Sequence, residues 1–279
     1  MEHKSIKDCF DPFISDVEVT NDIYSLAIPG QLKAVGCHDR KSKFTGQSFK
    51  ERAKHMGRNF KLDKLKKEHQ VGEKFDQLAQ HWEESATGME YEAVFEFIAK
   101  TYKSYEINDK MTILDLCCGI GMPGQTLRML GYKGKLIGCD ISKEMLKKAT
   151  ERGCYDDLFI QDVNEGLKCF EDSLDVIIIT GSMELLDSQV VLENCHKCLK
   201  GKGEIWISFL WNKDGKNATE HQKAIAFTEN EVIELVNKKG FFIIGEIEKC
   251  DKAYLVPTPT EGDSILVPVP YLFLRIKKN

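Results

Sequence analysis

From Met111 onward, short runs rich in β-forming apolar residues alternate with stretches of helical periodicity, which restricts this part of the chain to βαβ units feeding a parallel sheet. Strands are predicted at Thr112 to Cys117, Lys135 to Asp140, Asp157 to Gln161, Leu174 to Thr180 and Glu204 to Leu210, with ends placed to about 2–4 residues. Between them Ser142 to Arg152 reads as a helix, with Ser142 as N-cap and Gly153 as its stop. Thr228 to Lys239 reads as another, with Thr228 and Glu231 spaced as a capping box and Gly240 ending it. The rhythm then breaks. Phe241 to Lys249 and Ile265 to Ile276 both read as strands with no room for a crossover helix between them, so they should pair antiparallel around a loop holding Pro257, Pro259 and Gly262.

With 42% hydrophobic and 30% charged residues in 279, the chain has an ordinary globular composition. Its net charge of -5 argues against a general nucleic-acid binder. No apolar run approaches the ~20 residues needed to span a bilayer. The start, MEHKSIKDCFDPF, lacks the apolar core of a secretory signal, so the ten cysteines are expected to be thiols in the cytoplasm. Ahead of the alternating half, Glu73 to Trp82 and Met89 to Tyr102 have helical spacing. Residues 1–70 are expected to form an N-terminal extension to a domain spanning 71–279. Lys41 to Lys74 carries eleven Lys or Arg against four Asp or Glu, which suits a solvated arm or lid, or alternatively a contact with a phosphate-bearing substrate or RNA.

The segment Ile113-Leu114-Asp115-Leu116-Cys117-Cys118-Gly119-Ile120-Gly121-Met122-Pro123-Gly124 is a strand running into a glycine-rich turn and then a helix. Gly119 and Gly121 lack a Cβ, so the backbone there can turn sharply and approach a ligand at the carboxyl ends of the strands. Gly119, Gly121 and Gly124 alone satisfy the dinucleotide fingerprint, which is a weak signal. Asp115, inside the strand, suits a ligand carrying an ammonium group better than a pyrophosphate. Asp140, at the end of the next strand, can accept hydrogen bonds from two ribose hydroxyls.

These residues resemble the first motif of class I methyltransferases, and Ile141-Ser142-Lys143-Glu144-Met145-Leu146 after Asp140 resembles their second. The resemblance covers Phe75 to Gly240. It implies a Rossmann-like α/β fold of seven strands, mostly parallel with an antiparallel closing strand, with helices on both faces and a helical extension in front. It implies S-adenosyl-L-methionine as cofactor, held by Asp115, Gly119, Gly121, Asp140 and Ile141. It further implies that Asp162 and Val163 meet the adenine, and that Thr180 and Gly181 line the methionine end. Phe75 to Glu84 resembles the helix that precedes the domain in ubiquinone-biosynthesis-type methyltransferases, with Phe75 and Trp82 replacing two tyrosines; together with Tyr91 they are expected to form an apolar lid. Gly88-Met89-Glu90-Tyr91 and Cys154-Tyr155-Asp156-Asp157-Leu158 most resemble the methyltransferase-like proteins named after the Williams–Beuren syndrome region.

Methyl transfer from a sulfonium is an in-line displacement, so alignment of the acceptor can supply up to roughly 7–11 kcal/mol without a covalent nucleophile or metal. If a proton must leave the acceptor, His81, Glu184, Asp187 and His221 are the candidate bases. Thr180-Gly181-Ser182-Met183 departs from the Asn/Asp-Pro-Pro-aromatic tetrapeptide of base amino-methylating enzymes, so DNA is not an expected acceptor. A small molecule is preferred, with protein or RNA kept as alternatives. Cys117 and Cys118 read as packing residues. Cys195-His196-Lys197-Cys198 has zinc-like spacing but lacks a second ligand pair, so no metal is expected. The competing functions are an NAD-dependent oxidoreductase, which leaves Asp115 and the closing hairpin unexplained, and a non-catalytic adenosylmethionine-binding scaffold.

Overall fold

The computed structural model describes residues 68–79, 89–167, 170–213, 226–250, 253–257, 264–268 and 270–279. Seven strands form one sheet in the order β3-β2-β1-β4-β5-β9-β6: β1 Thr112–Leu116, β2 Lys135–Asp140, β3 Asp157–Ile160, β4 Leu174–Ile179, β5 Leu199–Leu210, β6 Phe241–Cys250 and β9 Tyr271–Lys278. The first five run parallel, and β9 enters antiparallel between β5 and β6. The helices are α1 Glu68–Ala79, α2 Met89–Ser104, α3 Met122–Met129, α4 Lys143–Arg152, α5 Ser188–Cys198 and α6 Glu229–Lys238.

Parallel strands covered on both faces must be apolar on both, and they are. Leu114, Ile177 and Ile205 pack with Val191 and Leu192 of α5 and Val232 and Val236 of α6. On the other face Ile113, Val176 and Ile178 pack with Phe97 and Ile98 of α2 and Leu127 of α3. Local chemistry ends the helices where the sequence indicates. Ser142 Oγ accepts from the Met145 amide at 3.1 Å and Gly153 closes α4 at φ 64°. Thr228 and Glu231 form a reciprocal capping box at the start of α6.

The expected long hairpin is corrected. Phe241–Cys250 does pair with the second half of the predicted strand, Tyr271–Lys278, but Ala253–Pro257 (β7) and Ser264–Pro268 (β8) pair with each other in a separate two-stranded sheet. The prolines explain the break: Pro268 and Pro270 have no N–H for a ladder, and Pro270 instead offers its carbonyl to the Trp211 amide at 2.8 Å. Pro257 ends β7 instead of lying in the loop, while Pro259 and Gly262 lie outside the described residues. A buried ion pair ties β9 to β5, with Arg275 Nη2 2.9 Å and Nε 3.1 Å from Glu204 Oε2. Among the described residues no helix is long and apolar enough to cross a membrane.

Candidate active site

The carboxyl ends of β1, β2 and β4 meet at one edge of the sheet, where β1 gives way to the glycine turn. Cys117 and Gly119 both adopt left-handed φ, 58° and 52°, and the chain then enters α3 through Gly121 at φ 90° with Pro123 in the first turn. Cross-links hold this path. The Cys118 amide donates to the Cys139 carbonyl at 2.9 Å, Gly119 N–H donates to Asp140 Oδ2 at 2.9 Å, and Arg152 Nε donates to the Ile120 carbonyl at 2.6 Å.

The glycines of the turn divide by what surrounds them. A Cβ at Gly119 would meet no atom within 4 Å, and the same holds for Gly181 at the end of β4, also at positive φ. Both border open space at the carboxyl edge. Gly181 is fixed by its amide, which donates to the buried Ser208 hydroxyl at 2.9 Å. A Cβ at Gly121 would instead stand 3.0 Å from the Tyr155 ring, and one at Gly124 would overlap that ring.

Two buried acids flank the turn. Asp140, 7% exposed, accepts from Gly119 with one oxygen and from the Ser142 amide at 2.9 Å with the other; burial pushes its pKa up against these backbone bonds. Asp115, 1% exposed, accepts the Tyr155 hydroxyl at 2.5 Å and the Gly124 amide, and burial raises its pKa to about 7. Its described partners are thus protein groups behind the turn. Burial, reinforced by the neighbouring carboxylates, also pushes the Cys117 and Cys118 thiols well up, so both are held as thiols and not as nucleophilic thiolates.

Helix α1 lies across the same edge. Phe75 packs with Ala79, Ile120, Met122 and Met145, and Asp76 Oδ1 accepts from Ser142 Oγ at 2.6 Å and the Glu144 amide at 3.0 Å. Ile141 sits beneath it, its carbonyl 3.4 Å from where a Cβ on Gly72 would be. Of the other sequence candidates, Asp162 accepts from the Asn164 amide at 2.9 Å, opening a short helical turn in which Val163 is buried. Thr180 is half-buried beside Gly181. Asp187 is exposed and caps α5 through the Gln189 and Val190 amides, and Glu184 is half-buried in the turn before it. Trp82, His81 and His221 lie outside the described residues, as does the side chain of Tyr91. Cys195 and Cys198 are core residues of α5, and His196 stacks edge-on against Phe241. Among the described residues no group of three or more His, Cys, Asp or Glu could hold a metal ion.

Sequence reasoning missed Asp76, Arg152, Tyr155 and Ser208. Each acts across 27 to 68 positions of the chain, on Ser142 and Glu144, Ile120, Asp115 and Gly181 respectively. Local pattern carries no trace of such pairs.

The order 3-2-1-4-5-9-6, with one antiparallel strand inside the far edge and a glycine turn after β1, is the Rossmann-like fold of class I methyltransferases. Residues 113–203 match the family model described as methyltransferase domain. Over 81 residues, 29% of this chain and 28% of the relative, the sequence is 31% identical to the probable 18S rRNA (guanine-N(7))-methyltransferase of Dictyostelium discoideum. Over 82 residues, again 29% of this chain and 32% of the relative, it is 32% identical to the demethylmenaquinone methyltransferase of Desulfitobacterium hafniense. The matched region spans less than a third of either relative's length. The protein solved in complex with the Haloferax volcanii Trm112 methyltransferase activator shares the fold at a TM-score of 0.60 and 18% identity, over 75% of this chain and 97% of its own.

Proposed function

We propose that this chain transfers a methyl group from S-adenosylmethionine to a small-molecule acceptor. The observation that carries the reading is the charge and shape of the carboxyl edge: two buried carboxylates, Asp115 and Asp140, with Asp76 beside them, around open space at Gly119 and Gly181. A pyrophosphate would meet three acids there, whereas a sulfonium with an ammonium group is attracted by them. The residues present therefore fit adenosylmethionine and disfavour NAD.

In this reading Asp140 receives the ribose hydroxyls and Gly119 lets the backbone reach the ligand. Asp162 and Val163 meet the adenine, Thr180 and Gly181 line the methionine end, and Ile141 and Gly121 complete the wall. Asp115, its pKa raised to about 7, contributes a partial negative potential from behind the turn. Phe75 on α1 excludes water from the ligand, and the lid part expected of Trp82 and Tyr91 belongs to the same proposal. The bound donor supplies an electrophilic methyl on its sulfonium, so the chain's part is to align the acceptor in line and keep the site dry. Glu184, Asp187, His81 and His221 remain the candidates for taking an acceptor proton.

Residues 1–70 are assigned to an extension outside the donor domain, and the resemblance at Gly88–Tyr91 and Cys154–Leu158 supports a place among the Williams–Beuren-type methyltransferase-like proteins. A cytoplasmic setting accords with the seven free cysteines among the described residues. The curated relatives are named for 18S rRNA and for demethylmenaquinone; a small molecule is preferred because the net charge of -5 does not favour RNA. Calorimetric titration with S-adenosylmethionine, S-adenosylhomocysteine and NAD tests the donor: saturable binding of the two sulfur ligands without NAD is expected, and binding of NAD alone would overturn the proposal.

A further inference from the structure

Three glycines on three separate elements face one side chain. A Cβ on Gly121 of the turn would lie 3.0 Å from Tyr155 Cε2, one on Gly138 of β2 would lie 3.0 Å from Cε1 and 2.7 Å from Leu158 Cδ2, and one on Gly124 in the first turn of α3 would overlap the ring outright. Gly119, by contrast, faces open space. The fingerprint Gly119-x-Gly121-x-x-Gly124 thus divides by where a side chain would point, Gly119 into open space and Gly121 and Gly124 into a socket, with Gly138 on the socket's floor.

The ring is delivered to this socket by a rigid mount. Tyr155 lies between α4 and β3, and both its neighbours are pinned. Arg128 Nε donates to the Cys154 carbonyl at 2.8 Å, and its Nη2 reaches Asp156 Oδ2 at 2.8 Å. The Asp156 amide donates to the Leu136 carbonyl at 2.8 Å, and the Leu136 amide donates back to Asp156 Oδ2 at 2.7 Å. At the ring's far end the hydroxyl donates to Asp115, whose carboxylate also receives the Gly124 amide. Ring, carboxylate and helix start therefore form one connected unit directly behind the turn.

We infer that Tyr155 is the positioning residue of the donor site: seated against Gly121, Gly124 and Gly138 and bonded to Asp115, it sets the shape of the turn that presents Gly119 to the donor. It touches no ligand itself and acts through the glycines. The inference rests on the donor reading above.

A double-mutant cycle in the full chain tests it, read by calorimetric affinity for S-adenosylhomocysteine and by thermal midpoint. Gly124→Ala alone should bind roughly thirtyfold more weakly or fail to fold, because its methyl collides with the ring, while the same change in a Tyr155→Ala background should cost less than about threefold further. Tyr155→Phe keeps the ring and loses the hydroxyl; it should stay folded and bind roughly fivefold more weakly, an effect on affinity that a purely structural residue would not produce in a folded variant. A cost of Gly124→Ala that is the same in both backgrounds, or a Tyr155→Phe affinity within about twofold of wild type, overturns the inference. Where Tyr155→Ala yields no folded protein, the Tyr155→Phe affinity decides. If wild type binds no S-adenosylhomocysteine, the donor reading fails by itself. The thermal midpoints of the cycle then overturn the socket if Gly124→Ala lowers them equally in both backgrounds.

Discussion

Asp76 and Ser142 share a 2.6 Å hydrogen bond across 66 positions of sequence, and through it helix α1 is fastened to the start of α4 at the carboxyl edge of the sheet. The same Asp76 oxygen accepts the Glu144 amide at 3.0 Å, so one carboxylate caps α4 from a different element. A negative group at a helix start is favoured by the helix dipole as well as by the bonds themselves.

Asp76→Ala should loosen this attachment. The expected result is S-adenosylhomocysteine binding weaker by about 1–2 kcal/mol and a faster dissociation rate, with the fold intact. Stopped-flow dissociation measures it; an unchanged rate would mean that α1 does not gate the site.

Asp140→Ala removes the proposed ribose acceptor and the partner of the Gly119 amide together. Donor affinity should fall by about 1.5–3 kcal/mol, the range for hydrogen bonds to a charged group. Calorimetry on the folded variant checks this, and wild-type affinity would remove Asp140 from the site.

Asp115 links stability to pH. Its pKa rises from the ordinary carboxylate range to about 7 in the folded chain, so the folded state holds the proton more tightly than the unfolded one. The resulting stabilisation is fully present below pH ~4 and is lost as pH climbs through 7, a change on the order of 4 kcal/mol. Urea denaturation at pH 5 and pH 8 should show wild type losing stability over that interval and Asp115→Asn losing much less. Parallel pH profiles for the two proteins would contradict the assignment.

Arg275→Met strands the buried Glu204 carboxylate, only 2% exposed, without its guanidinium. Destabilisation of about 3–5 kcal/mol is expected at neutral pH. Adding Glu204→Leu should recover much of it, because the loss comes from an unpaired buried charge. Thermal denaturation of the single and double variants distinguishes this from a loss of packing alone, in which case the second change would add to the first.

The sequence made the parallel half of the sheet legible where the strands are apolar runs: β2 spans the predicted Lys135 to Asp140 and β1 differs by a single residue. By contrast β5 begins at Leu199, ahead of the predicted Glu204, because its first residues run through the polar stretch Lys200 to Gly203, which carries no strand signal. The caps of α4 and α6 were legible because Ser142, Thr228 and Glu231 act within three positions. What stayed hidden depends on partners far along the chain. The bond that Asp115 accepts from Tyr155, forty residues on, leaves no mark in the local pattern around either residue. Asp187 reads as a candidate base, and its capping of α5 through the Gln189 and Val190 amides is a second part that the sequence reading did not assign to it. The predicted strand Ile265 to Ile276 divides because proline, whose effect depends on whether its neighbour needs an N–H, sits at 268 and 270.

The position of β9 has a bearing on how the chain reaches this state. Among the described residues β6 pairs with the main sheet only through β9, so residues 241–250 have no ladder to join until residues 271–278 have threaded between them and β5. In register, Glu204 waits for Lys277, 73 positions later. Such late, non-local closure is slow relative to the local βαβ pairings. During synthesis the β1–β5 half, with its glycine turn, is therefore assembled first, and the exposed flank of β5 depends on the arrival of its last partner for protection against pairing with other chains.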